Sequence, residues 1–219
     1  DQDIQQIAIK IVLPKIYPIT DERISGITTP DQVERLIAGG ATFIQLREKH
    51  AASNQFYEAA AKAIAIARSK GARIIVNDRV DIALALKADG VHLGQDDLPC
   101  EQARRILGEH AIIGLSTHTP EQVKAGLFLP IDYIAFGPIF PTSTKIGPDE
   151  VVGLQGPSRI RSLIGNFPLV AIGGITASNV QQVLKAGADS AAIISDLISD
   201  AAQITEKMRT ILDNQSCYE

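Results

Sequence analysis

Short β-branched runs alternate with helical patterns along this chain, with Gly or Pro between them, and few folds accept that rhythm. The strand-like runs are "KIYPITD" (15–21), "ATFIQLREK" (41–49), "ARIIVND" (72–78), "GVHLGQ" (90–95), "AIIGLST" (111–117), "DYIAFGPIF" (132–140), "PLVAIGGI" (168–175) and "DSAAIIS" (189–195). Between them lie helical stretches. "TPDQVERLIAGG" opens with Thr29 as the expected N-cap, has Pro30 at the first helical position, and closes on glycines. "SNQFYEAAAKAIAIARSKG" is Ala-rich and ends in basic residues and Gly71. "TPEQVKAG" and "TASNVQQVLKAG" repeat that pattern of starts and stops, and "LISDAAQITEKMRTIL" is expected to form one last helix.

A strand–helix unit of about 25 residues, repeated eight times, predicts a (β/α)8 barrel. Continuous apolar strands fit it, because parallel strands are covered on both faces. An open doubly wound sheet would use the same alternation, but its G-x-G-x-x-G turn after the first strand is absent. The 219 residues suit one barrel, and no linker or change of composition marks a second domain, so residues 1–219 are expected to be a single domain. A net charge of −4 argues against general affinity for nucleic acid, though a local site can still hold anions. Two cysteines, Cys100 and Cys217, are too few for a disulfide framework or a zinc site and read as inert thiols in a reducing compartment. With no signal peptide visible and no apolar run near the roughly 20 residues that span a bilayer, the expected location is the cytoplasm, away from membranes. A homo-oligomer is compatible with the sequence, which carries no sign of its oligomeric state.

In such a barrel the functional site lies where the strands end, and polar residues gather there. Gln45, Arg47 and Lys49 sit at alternate positions and would share one face of the second strand. Asn77 and Asp78 end the third strand. "GQDD" with Asp96 and Asp97 follows the fourth, and Ser116 and His118 close the fifth. "FPTSTK" after the sixth offers Thr142, Thr144 and Lys145, while Gly173 and Gly174 end the seventh and Ile194-Ser195 the eighth. Any one polar residue at a strand end is as well explained by solvent. As a set they complement one another. Asp78 with Asp96 or Asp97 suits Mg2+, which is held by one or two carboxylates while phosphates complete its octahedron. Arg47, Lys49 and Lys145 would meet a phosphate-rich anion, with Asn77 and Ser116 donating to its oxygens. The glycines after the seventh strand and the end of the eighth occupy a place where barrels bind phosphate through backbone N–H groups. Two anionic sites follow, one with metal.

Other polar residues read as structural. His92 is expected to be a satisfied interior histidine, His50 and His110 carry little signal, and Glu48 is expected in an ion pair facing the helices. The helical "KAIAIARSK" reads as core-facing with a solvated basic end.

With "QLREK", "VND", "HLGQDD", "GLSTH", "GPIFPTSTK" and "AIGGI" in this order, the chain resembles the thiamine phosphate synthase family from "YPITD" to "AAIIS". That resemblance implies a transferase that joins hydroxymethylpyrimidine diphosphate to thiazole phosphate, with loss of pyrophosphate and capture of a pyrimidine carbocation by the thiazole nitrogen. It implies Mg2+ on Asp78 and Asp97, choosing Asp97 where residue chemistry alone left Asp96 open. It implies pyrimidine diphosphate contacts from Gln45, Arg47, Lys49, Asn77, Ser116 and Lys145, with Arg47, Lys49, Ser116 and Lys145 as the catalytic set. Thr142, Thr144, Gly174, Ile194 and Ser195 would hold the thiazole phosphate. Two other readings compete: a thiazole tautomerase on the same barrel, with His118 as acid/base, and a non-catalytic sensor of a phosphate ligand. Neither needs a magnesium pair. The Gly- and Pro-containing "IGPDEVVGLQG" suits a lid, and "DQDIQQIAIKIVLP" has no evident role.

Overall fold

All eight apolar runs become strands in the computed structural model, which describes residues 11–142 and 150–216. They are β1 (Ile16–Pro18), β2 (Phe43–Leu46), β3 (Arg73–Asn77), β4 (Gly90–Leu93), β5 (Ile112–Thr117), β6 (Tyr133–Phe136), β7 (Leu169–Ile172) and β8 (Ser190–Ile193). Every pairing is parallel, in the order β1-β8-β7-β6-β5-β4-β3-β2. Between β1 and β2 the barrel is nearly closed, by one bridge from Ile19 to Gln45 and the Thr20 N–H donating to the Gln45 carbonyl at 2.9 Å.

Helices cover the outside. After β1 come α1 (Glu22–Ser25) and α2 (Thr29–Ala38). Then α3 (Ser53–Ser69), α4 (Val80–Leu86), α5 (Cys100–Leu107), α6 (Pro120–Gly126), α7 (Gln155–Ile164) and α8 (Val180–Lys185) follow β2 to β7 in turn. After β8 the chain forms α9 (Ser195–Ile198), a 3-10 turn (Ala201–Gln203) and α10 (Ile204–Ser216). Among the described residues no helix is long and apolar enough to cross a membrane.

Strand parity sorts the apolar residues into two cores. Ile44, Leu46, Ile74, Val76, Leu93 and Ile134 face the helices, packed with Phe56, Ile64 and Ile160. Tyr17, Ile19, Phe43, Ile75, Tyr133 and Val170 fill the barrel interior. Leu13 and Ile11 join this inner cluster from ahead of β1, so the end of the segment that had no evident role plugs the amino-terminal mouth.

Three local expectations are corrected. The N-cap of α2 is Thr28 rather than Thr29: the Thr28 hydroxyl accepts the Asp31 N–H, whereas the Thr29 N–H and hydroxyl are both taken by Glu22. The last helix is broken into three pieces, because the Asp200 side chain accepts the Ala202 N–H and starts a new turn. Helix α8 begins at Val180 rather than near Thr176, since Asn179 accepts the Thr176 N–H at 2.8 Å and folds residues 176–179 into a turn.

At the amino-terminal rim, acids that precede alternate strands tie the rim together. Asp89, Asp132 and Asp189 accept the N–H groups of Ile74, Ile113 and Leu169 at 2.7, 2.7 and 2.8 Å. Asp132 and Asp189 are also paired with Arg104 of α5 and Arg161 of α7, at 2.8 and 2.6 Å. Those guanidiniums in turn donate to loop carbonyls, Arg104 to Ala111 and Pro130 and Arg161 to Phe167 and Gly187.

Candidate active site at the carboxyl rim

A cavity of about 760 Å³ opens at the carboxyl ends of the strands. Gln45, Arg47, Lys49, Asn77, Asp78, Asp97, Ser116, Thr142, Gly174, Ile194 and Ser195 all line it. Thr144 and Lys145 lie outside the described residues. Asp96, which residue chemistry could not separate from Asp97, also reaches the cavity, as do His92, His118 and Thr176.

Strand β2 stops at Leu46, so Gln45 is the member of the Gln-Arg-Lys trio that a strand carries; Arg47 and Lys49 enter the cavity from the loop beyond. The Arg47 N–H donates to the Thr20 hydroxyl at 3.2 Å, and its guanidinium pairs with the buried Asp21. Asp21 is fixed in its turn, because its other oxygen caps α1 and its N–H donates to Gln32. The guanidinium is thereby held in place by a buried acid. Glu48, expected in an ion pair, forms none among the described residues and accepts the His50 N–H at 2.8 Å, which closes the loop on itself.

Asp78 adopts a left-handed backbone (φ 61°), which Asp tolerates better than most residues. Its N–H donates to the His92 carbonyl at 2.9 Å, extending the β3–β4 ladder by one step, and its carboxylate pairs with Lys49. Asp97 accepts the Gly94 N–H at 2.6 Å. Burial, with the Asp78 carboxylate beside it, raises the Asp97 carboxyl above its ordinary value despite the Gly94 N–H. Two neighbouring acids, Asp78 and Asp97, against the single Lys49 ammonium leave negative charge for a cation to answer. Among the described residues no cluster of three or more His, Cys, Asp or Glu forms a metal cage, so a cation here would draw its remaining oxygens from ligand and water.

Beneath the cavity runs a line of buried hydrogen bonds. The Gln45 amide nitrogen donates to the Tyr17 hydroxyl at 3.1 Å, and Tyr17 and Tyr133 share a hydrogen bond at 2.9 Å. Tyr133 meets His92 Nδ1 at 2.9 Å, and His92 Nε2 meets the Ser116 hydroxyl at 2.8 Å. His92 is thus satisfied at both nitrogens, as expected of an interior histidine, and burial pushes its pKa down to about 4. Burial likewise raises both tyrosines. The tyrosines were not anticipated. Gly114 was the available signal, since a glycine inside a strand often marks a close approach; a Cβ there would lie 2.1 Å from Tyr133 Cζ.

Gly173 and Gly174 have a reason beyond leaving backbone open to a ligand. Both have positive φ, 101° and 63°, and a Cβ on them would lie 2.5 Å from Pro138 Cα and 2.6 Å from the Pro141 carbonyl oxygen. The β7 turn is pressed against the β6 loop, and the Asn179 side-chain amide donates to the Gly174 carbonyl.

Fold and cavity together define a (β/α)8-barrel protein whose polar groups converge on the carboxyl rim. The family model described as thiamine monophosphate synthase matches residues 16–197. A relative from Persephonella marina, named thiamine-phosphate synthase, is 45% identical over 203 residues, spanning 91% of this chain and 96% of its own. One of the same name from Syntrophomonas wolfei is 42% identical over 199 residues, with 90% and 95% covered. The solved structure of thiamine phosphate pyrophosphorylase from Pyrococcus furiosus superposes with a TM-score of 0.80 at 38% identity, covering 91% of this chain and 96% of that one. The chain belongs to the thiamine monophosphate synthase family.

Proposed function

We propose that this protein is a thiamine-phosphate synthase: a single barrel domain that joins hydroxymethylpyrimidine diphosphate to thiazole phosphate and releases pyrophosphate. The observation that carries the reading is the convergence of Asp78, Asp97, Arg47 and Lys49 on one cavity. Diphosphate departure needs that mixture of charges; proton movement on a thiazole does not.

Asp78 and Asp97 would hold Mg2+, and the donor set fits it: two hard carboxylates beside one another, one of them already raised by burial and its neighbour. When bound, the ion would supply charge neutralisation for the leaving diphosphate. The remaining roles belong to the chain. Arg47, held by Asp21, offers its guanidinium fork to the diphosphate, with Lys49 and Lys145 as point charges. Asn77 and Ser116 hydrogen-bond the same ligand, and Gln45 contacts the pyrimidine. As the carbon–oxygen bond breaks, its electron pair leaves with pyrophosphate, and these cations stabilise that charge more in the transition state than before it. The thiazole nitrogen then donates its lone pair to the methylene cation. Thr142, Thr144, Gly174, Ile194 and Ser195 hold the thiazole by its phosphate, lowering the entropic cost of that meeting. Cys100 is a buried free thiol whose pKa burial pushes up to about 11, which leaves it inert, and the cytoplasm is the proposed location of the enzyme.

Purified protein given both precursors and Mg2+ is expected to release pyrophosphate and thiamine phosphate in equal amounts. Lys145→Ala should lower turnover by about 10²–10³. Isomerised thiazole without pyrophosphate would point to the tautomerase, and ligand binding without turnover to the sensor; either overturns the reading.

A further inference from the structure

The buried line from Gln45 to Ser116 has a direction that donor counting reveals. An amide nitrogen can only donate, so the Tyr17 oxygen accepts from Gln45. A phenol carries one proton, and among the hydrogen bonds of Tyr17 that proton finds an acceptor only in the Tyr133 oxygen, which sets the direction of the line. The proton of Tyr133 must then go to His92 Nδ1, which has to be bare. A neutral imidazole with a bare Nδ1 carries its proton on Nε2 and donates it to the Ser116 oxygen. The Ser116 hydroxyl proton is therefore left for the cavity, and Gln45 keeps its amide oxygen as an acceptor. Both residues line the cavity, while Tyr17 and Tyr133 are fully enclosed.

We propose that Tyr17, Tyr133 and His92 form a one-way hydrogen-bond relay that fixes Gln45 as an acceptor and Ser116 as a donor toward the ligand. The three are positioning residues that act through Gln45 and Ser116. This rests on the reading that those two residues contact the pyrimidine diphosphate. The fitting ligand brings a donor to Gln45 and an acceptor to Ser116, so an amino-bearing pyrimidine is accepted and its oxo counterpart, with a carbonyl in place of the amine, is refused. An unheld glutamine could turn its amide over and serve either. A glutamine clamped by Tyr17 cannot, because turning it would set an amide oxygen against a phenol oxygen whose proton is committed elsewhere.

Two measurements test the relay. The first is the tautomer of His92 from ¹⁵N NMR of the labelled full chain at neutral pH, with its signal assigned by loss in His92→Gln. Wild type and Tyr17→Phe should show a single Nε2–H form, and Tyr133→Phe, which frees Nδ1, a mixture of both. The second is the ratio of kcat/KM for the amino and oxo pyrimidine diphosphates. It should fall about tenfold in Tyr17→Phe, as expected when a committed hydrogen-bond partner is released. A wild-type His92 protonated on Nδ1 would mean that the line runs the other way, and the proposal falls. An unchanged ratio in Tyr17→Phe also overturns it. Should Tyr133→Phe fail to fold, wild type and Tyr17→Phe still decide. If the wild type releases no pyrophosphate from either pyrimidine, the proposed function fails, and the relay is then judged by the tautomer alone.

Discussion

Asp132 and Asp97 are both rim acids that accept a backbone N–H, yet their surroundings differ. Asp132, at the amino-terminal rim, faces the Arg104 guanidinium at 2.8 Å, and the other nitrogens of that guanidinium are spent on loop carbonyls. Asp97, at the carboxyl rim, is raised by burial and by the neighbouring Asp78 carboxylate. The same contrast separates Arg104 from Arg47, since Arg47 has one acid behind it and an open cavity in front. One rim answers Asp132 and Asp189 with its own arginines and so holds the barrel. The other leaves charge uncompensated, at a cost in stability, where a ligand can use it.

The largest expected effect is at the carboxyl rim. Asp78→Asn keeps a residue that tolerates the left-handed backbone but removes the charge. Turnover should fall by about 10²–10³, roughly 3–4 kcal/mol in the barrier. Asp97→Asn should do the same, and its urea midpoint without Mg2+ should match or exceed wild type, because a repulsion has been removed. A clearly lower midpoint for Asp97→Asn would show that this acid holds the fold as Asp132 does, and the contrast would collapse.

Asp132→Ala should behave in the opposite way. It strands the Ile113 N–H and one face of the Arg104 guanidinium, at about 2–3 kcal/mol of stability. In a chain of this size that is several degrees in melting temperature, about 2–4 °C per kcal/mol. Pyrophosphate release per folded molecule should not change.

Between the rims, His92 gives the comparison a pH axis. The unfolded chain takes up this proton at the ordinary value of 6.5, whereas the folded chain resists until about 4. Between those values the unfolded state binds more protons, so this stabilisation is complete above 6.5 and is lost as pH falls toward 4. The slope is at most about 1.4 kcal/mol per pH unit. Urea midpoints at pH 7 and pH 5 should therefore diverge more for wild type than for His92→Gln. Equal divergence would mean that His92 is charged inside the barrel.

What could be read from the sequence divides along the same lines. Strand identity was plain because parallel strands are apolar on both faces, as Ile74, Ile75 and Val76 are. Site membership was plain because barrel loops bring strand ends together whatever their distance along the chain, so Asn77 and Ser116 line one cavity. The inner relay could not be read, because Tyr17 and Tyr133 look like any core aromatics until the register sets Gly114 opposite Tyr133. The latches were hidden in another way. Arg104–Asp132 and Arg161–Asp189 share a separation of 28 residues, a spacing without meaning until each helix lies across the next strand. Caps slipped by one residue because adjacent threonines offer the same hydroxyl, and Glu22 decided which was free.

The smallest effect tests whether the carboxyl face is functional throughout or only inside its cavity. Thr28 lies on this face at the start of α2 but does not line the cavity, and its hydroxyl accepts the Asp31 N–H at a long 3.4 Å. Thr28→Ala should remove a weak cap, about 0.5–1 kcal/mol, and leave pyrophosphate release untouched. Thr28 is exposed, so no cavity follows its truncation and the cap is the main term. If turnover fell while the melting temperature moved by only a degree or two, the first turn of α2 would be coupled to Arg47 through Asp21, whose carboxylate accepts at α1 and whose N–H donates to the Gln32 side chain of α2. The division between holding and working residues would then run through the loops of the carboxyl face rather than between the two rims.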